Sequence, residues 1–194
     1  MKKRMDTRKL VMLAMLAAIS VALVMTVHIP MPFAPFLEYD PADIPIFIAT
    51  FAFGPVSGLV VTVVVSVIQA CTVSSLSGWI GALMHVIATG SFVLVAGILY
   101  KKFHTIKGAI LSLGAGALTM VLMMIPLNLI FTPLFMGAPV SVVRDMLLPA
   151  IIPFNLIKAG GNALLTFFLY KAIHKVILRF VSGSHSRIPV EDQR

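Results

Sequence analysis

The chain has 194 residues, 59% hydrophobic and 11% charged, with a formal net charge of +8 and a mean hydropathy of +1.04. Soluble domains carry about 25% charged residues, so this chain lacks the surface of a soluble enzyme, and its aliphatic richness excludes disorder. The class implied is an all-α integral membrane protein, with room for five to seven spans at about 20 residues per crossing.

The first predicted span runs from Leu10 to His28, after a basic N-terminus with Lys2, Lys3, Arg4, Arg8 and Lys9. No cleavage signal followed by a polar domain is seen, so the run is read as a span. On it Ala14, Ala18 and Ala22 recur every four residues and form a small-residue stripe. Such a stripe lets another helix approach closely, either within the bundle or from a partner subunit. Residues 29–43 are expected to be an outer structured or re-entrant segment. Five prolines between 29 and 45, with Glu38, Asp40 and Asp43, exclude a continuous helix in lipid.

The apolar run from Ile44 is interrupted at Gly54-Pro55 and continues to Cys71, which reads either as one broken helix or as two spans. Trp79–Tyr100 and Gly108–Phe131 are the next spans, separated by a basic loop. A loop over 132–148 follows, and the last span is expected from Pro153 to about Val176, with the proline in the first turn.

Thirteen of the fifteen basic residues fall at the N-terminus, at 101–107 and near the C-terminus. This is a positive-inside distribution, not a nucleic-acid stripe. It requires an even number of crossings before residue 101. Region 44–71 therefore supplies two spans, giving six transmembrane helices with both termini cytoplasmic. The division expected is residues 1–9 as a basic terminus, 10–178 as one six-helix domain in the cell membrane, and 179–194 as a polar cytoplasmic tail.

Polar groups inside spans are costly and mark candidate sites. Asn155 and Lys158 lie three apart, on one helix face. Lys158 either snorkels outward or, with Asn155, forms a donor pair facing a cavity. Asn128, Gln69 and His85 are further candidates, each with an interhelical packing role as the alternative. In the outer segment, Phe33, Phe36, Leu37 and Tyr39 stand among prolines beside Glu38 and Asp40. They form either a lid over a planar apolar ligand or an interfacial aromatic belt.

No phosphate-binding loop, H-E-x-x-H or G-x-S-x-G occurs, and a single cysteine excludes an internal disulfide and a CxxC metal site. No catalytic residue, metal or cofactor is therefore expected. No internal repeat of the kind typical of rocking carriers is seen.

Taken together, LAMLAAIS at 13–20, PFLEYDPADIP at 35–45, FGPVSGL at 53–59, KGAI at 107–110 and IIPFNLIKAGGN at 151–162 carry a resemblance. The chain resembles the substrate-binding S components of energy-coupling-factor (ECF) vitamin transporters, in particular the riboflavin-specific branch. The resemblance implies a six-helix protein that binds riboflavin from outside. It implies partners too: a membrane T component meeting Ala14, Ala18 and Ala22, and two cytoplasmic ATPases. It places ligand contacts on the loop after the first helix (Phe36, Leu37, Glu38, Asp40) and on Asn128, Asn155 and Lys158. Gln69 and His85 stand where the family pattern has other polar residues. The alternatives are a solitary proton-coupled vitamin carrier and, less well supported by motifs, an intramembrane lipid-modifying enzyme.

Overall fold

In a computed structural model, residues 7–32, 34–72 and 78–182 are described, with side chains at 35, 36 and 173–182 excluded. Five helices are long and apolar enough to cross a membrane. Helix α1 (Thr7–Thr26) is apolar on all sides and turns only one stripe inward: Leu13, Leu16, Ala17, Ser20 and Val24 are buried. The expected small-residue stripe lies opposite, with Ala14, Ala18 and Ala22 all exposed.

The proline-rich segment folds as an antiparallel hairpin. Strand β1 (Ile29–Met31) pairs with β2 (Ala34–Tyr39), Ile29 opposite Tyr39 and Pro30 opposite Glu38, with a register shift after Pro30. Proline is accepted here because a two-stranded ribbon has free edges. Phe33 lies outside the described residues.

Helix α2 (Asp43–Phe53) is buried from Asp43 through Phe51, the signature of an element enclosed by others. At 11 residues it extends about 16 Å, roughly half a hydrocarbon core. Its start corrects one expectation: Asp43, assigned above to the outer loop, is the first residue of the helix and wholly buried. The chain reverses at Gly54, whose φ of 90° and ψ of 167° suit glycine alone, and Pro55 opens α3 (Pro55–Thr72). The two helices touch at Gly58, where an added Cβ would sit 2.1 Å from Thr50 Oγ1.

Helices α4 (Gly78–Lys102) and α5 (Ile106–Met136) form a long antiparallel pair, with Thr105 capping α5 by accepting from the Gly108 N–H at 2.9 Å. The connection between the run ending at Cys71 and the span from Trp79 falls almost wholly outside the described residues. The expected loop at 132–148 is largely helical. α5 runs through Pro126 and Pro133 to a left-handed cap at Gly137, and α6 (Val140–Met146) follows at once. Prolines are tolerated where neighbouring helices satisfy the freed carbonyls.

The last span does not begin freely at Pro153. A π-helical turn, Leu147–Ile151, joins α6 to α7 (Ile152–Ser182), and the Ile152 N–H donates to the Leu147 carbonyl. The wider turn accommodates Pro149 and Pro153, each without a donor, while the chain stays helical. α7 also extends past the expected end near 176 and into the segment expected as a polar tail from 179.

The main core joins α1–α5 and α7 around Phe47, stacked on Phe92 with ring centroids 3.6 Å apart. A second cluster packs Ala34 and Leu37 of the hairpin on Val143, Ile151 and Phe154, so the hairpin caps the start of α7. The opposite end of the bundle carries Lys9, Gly54, Lys101 and His104 around one depression.

Candidate ligand site

α7 presents one polar stripe to the hairpin and α2: Asn155, Lys158, Asn162 and Thr166, at the three-to-four-residue spacing of a single face. Asn155 and Asn162 are 2% and 0% exposed. Because α2 is short, the chain before it is drawn down against this stripe. There Lys158 Nζ donates to Asp40 Oδ2 at 2.7 Å, and Asp40 Oδ1 accepts the Ala42 N–H at 3.1 Å. Asn162 Nδ2 donates to the Asp40 carbonyl at 3.2 Å, and Asn162 Oδ1 accepts from the Tyr39 hydroxyl at 2.8 Å. Burial, reinforced by the neighbouring Asp40 carboxylate, pushes the Tyr39 phenol above its ordinary value and keeps it a donor.

Lys158 therefore does not snorkel outward. It pairs with Asp40, the two side chains being 15% and 10% exposed. Asn155 differs from the expected donor: its Nδ2 is spent on the Ile151 carbonyl at 2.8 Å of its own helix, and its buried Oδ1 has no partner. A buried carbonyl oxygen left open is costly, and what it offers a ligand is an acceptor.

A second polar chain crosses α2, α3 and α4. His85 Nε2 lies 2.9 Å from Asp43 Oδ1, which also accepts from the Thr89 hydroxyl at 3.1 Å, and His85 Nδ1 lies 2.7 Å from Ser66 Oγ. Asp43 Oδ2 has no partner and is fully buried. Both unpartnered buried side-chain atoms among the described residues thus belong to groups near the hairpin end.

A family model for the substrate-specific component of ECF transporters matches residues 8–170. The chain belongs to this family. The riboflavin transporter FmnP of Bacillus subtilis is 32% identical over 163 residues, covering 79% of this chain and 85% of that protein. The riboflavin transporter RibU of Staphylococcus aureus is 28% identical, covering 90% and 94%. The solved S component of a bacterial ECF transporter matches the fold with a TM-score of 0.69 at 28% identity, over 88% of this chain and 98% of that one. This ECF substrate-specific component is accordingly a multi-pass protein of the cell membrane.

The other candidates of this S component fall in three places. Leu37 is buried in the hairpin cluster. Glu38 is half-exposed and lies 3.1 Å from His28 Nδ1, across the hairpin. Phe36 is placed by its backbone in β2. Asn128 is buried, donating to the Met124 carbonyl at 2.7 Å and accepting from the Thr132 hydroxyl at 2.9 Å, so its bonds are local to α5. Gln69 is half-buried near the end of α3 and hydrogen-bonds to no described residue. Sequence reasoning missed Asp43 and Asn162 as members of these two polar networks. Asn162 was legible as the seventh residue after Asn155, on the same face. Asp43 was not, because its burial depends on how short α2 is.

Proposed function

We propose that the chain is a riboflavin-binding S component that captures the vitamin outside the cell and delivers it inside with a T component and two ATPase subunits. In this reading six helices cross the membrane, α2 serving as the short one, and both termini face the cytoplasm. The gathering of Lys9, Gly54 and Lys101 at one end, away from Glu38, Asp40 and Asp43, supports that orientation under the positive-inside rule. The relatives named as riboflavin transporters support the ligand.

One observation carries the placement of the site: the buried, unpartnered Oδ1 of Asn155, one turn from Lys158 and beneath the hairpin. A flavin presents an imide N–H to such an acceptor, and carbonyls and ribityl hydroxyls to an ammonium. Leu37, Phe154 and Ile151 supply apolar walls. Asp40 is a contact and the positioning partner of Lys158, and Phe36, Glu38, Asn128, Gln69 and His85 complete the candidate set. The exposed Ala14, Ala18 and Ala22 form the docking face for the T component. The protein acts as no enzyme, and riboflavin is cargo rather than cofactor.

The buried Asp43–His85 pair favours a second reading, a solitary carrier coupled to protons, since such carriers need ionisable groups in the membrane. Uptake into proteoliposomes separates the two readings. The S-component reading expects none until T component, ATPases and ATP are added. Uptake by this chain alone that is abolished by an uncoupler would favour the carrier.

A further inference from the structure

The corner between β2 and α2, residues 40–43, carries two carboxylates three positions apart and is gripped from three helices. From α1, the Ser20 hydroxyl donates to the Ala42 carbonyl. From α7, Lys158 and Asn162 hold Asp40 by its side chain and by its carbonyl. From α4, His85 and Thr89 both reach Asp43, and both reach the same oxygen, Oδ1.

Lys158 therefore meets one carboxylate directly and a second through space: Asp43 acts on its ammonium without forming an ion pair with it. Donors bonded to Asp43 Oδ1 turn their positive ends to the carboxylate and offset part of that pull. His85 itself has no nitrogen to spare for a ligand. Against a carboxylate its Nε2 is the donor, and its Nδ1 lies 2.7 Å from Ser66 Oγ, itself 2.7 Å from the Thr62 carbonyl. The ring is thus fixed from α3 and aimed at α2, and whatever it does for the ligand passes through Asp43.

We propose that His85, helped by Thr89, is a positioning residue of the ligand site: it holds Asp43 toward α4, so that the Lys158 ammonium stays on Asp40 with protons left for the ligand. The inference rests on Lys158 being a ligand contact. Without those donors Asp43 is a buried charge with both oxygens open, which takes the ammonium as its counter-ion and withdraws it from the ligand.

The test combines riboflavin titration by fluorescence quenching with thermal unfolding of the ligand-free chain. His85→Leu is expected to raise the riboflavin Kd about tenfold, the loss of one charge-assisted bond. His85→Gln, which keeps an amide donor for Asp43, should recover most of that affinity, and so should Asp43→Asn added to His85→Leu. In a Lys158→Met background, His85→Leu should change Kd less than about twofold, because the ammonium it acts through is gone. A packing role predicts that Leu is tolerated better than Gln and that the loss is equal in both backgrounds. Either result would overturn the proposal, as would an unchanged Kd in His85→Leu.

Thermal unfolding separates this inference from the vitamin reading. Combining His85→Leu with Lys158→Met should lower Tm by more than the two single losses together, because two buried carboxylates then lack partners. A wild type that ignores riboflavin yet shows this coupling refutes the vitamin reading alone. Additive Tm losses refute the positioning role whatever the ligand does. If the combined variant does not fold, Asp43→Asn decides: failure to restore the Tm of His85→Leu would overturn the proposal.

Discussion

Replacing Lys158 with methionine removes its charge while keeping much of its apolar stem. The ammonium sits 2.7 Å from Asp40 Oδ2, with the two side chains 15% and 10% exposed, so the change strands a carboxylate in a nearly dry site. Breaking a buried pair from one side costs about 3–5 kcal/mol. Asp40 Oδ1 keeps its bond from the Ala42 N–H, and some water reaches the pair, which places the loss at the lower end, about 3 kcal/mol. Adding Asp40→Asn removes the stranded charge and should recover part of that loss. Ligand affinity should fall as well. One ammonium proton serves Asp40, and a charge-assisted bond from another to the ligand is worth about 1.5–3 kcal/mol. The riboflavin Kd of Lys158→Met should therefore rise by about ten- to a hundredfold. Thermal unfolding in detergent reads the first effect and quenching of flavin fluorescence reads the second. A variant with wild-type Tm would refute the buried pair, and an unchanged Kd would remove Lys158 from the site.

Asn155→Leu should separate binding from stability: its Nδ2 bonds only its own helix, so Tm should hold within a few degrees while riboflavin binding weakens about tenfold. A large fall in Tm with unchanged affinity would make Asn155 a packing residue. Gly58→Val places a branched side chain against Thr50 and Val93 and should cost about 1–3 kcal/mol, seen as a lower Tm; an unchanged Tm would contradict the close α2–α3 contact. Ala18→Trp, on the exposed stripe of α1, should leave riboflavin binding intact and abolish ATP-dependent uptake with the partner subunits. Normal uptake would move the docking face elsewhere.

The spans were legible because apolar runs of about 20 residues bounded by lysines have few other readings. The chain from Val140 to Pro153 was harder, because Pro149 and Pro153 read as breakers while a π turn absorbs both. The pairing of Lys158 with Asp40, 118 positions away, has no local signature. It depends on the short α2 and on the hairpin that caps α7. Asn155 and Lys158 stand out as candidates from spacing, since polar groups on one face of an apolar helix need a reason to be there. Which of their atoms remain open is a tertiary fact: Asn155 spends its donor on Ile151, and Lys158 spends one on Asp40.

Fluorescence titration of the purified chain with riboflavin tests the central claim most directly. The account predicts saturable quenching at one site per chain, lost progressively in Lys158→Met and Asn155→Leu. A wild-type protein that folds cooperatively yet leaves the flavin signal unchanged would contradict it.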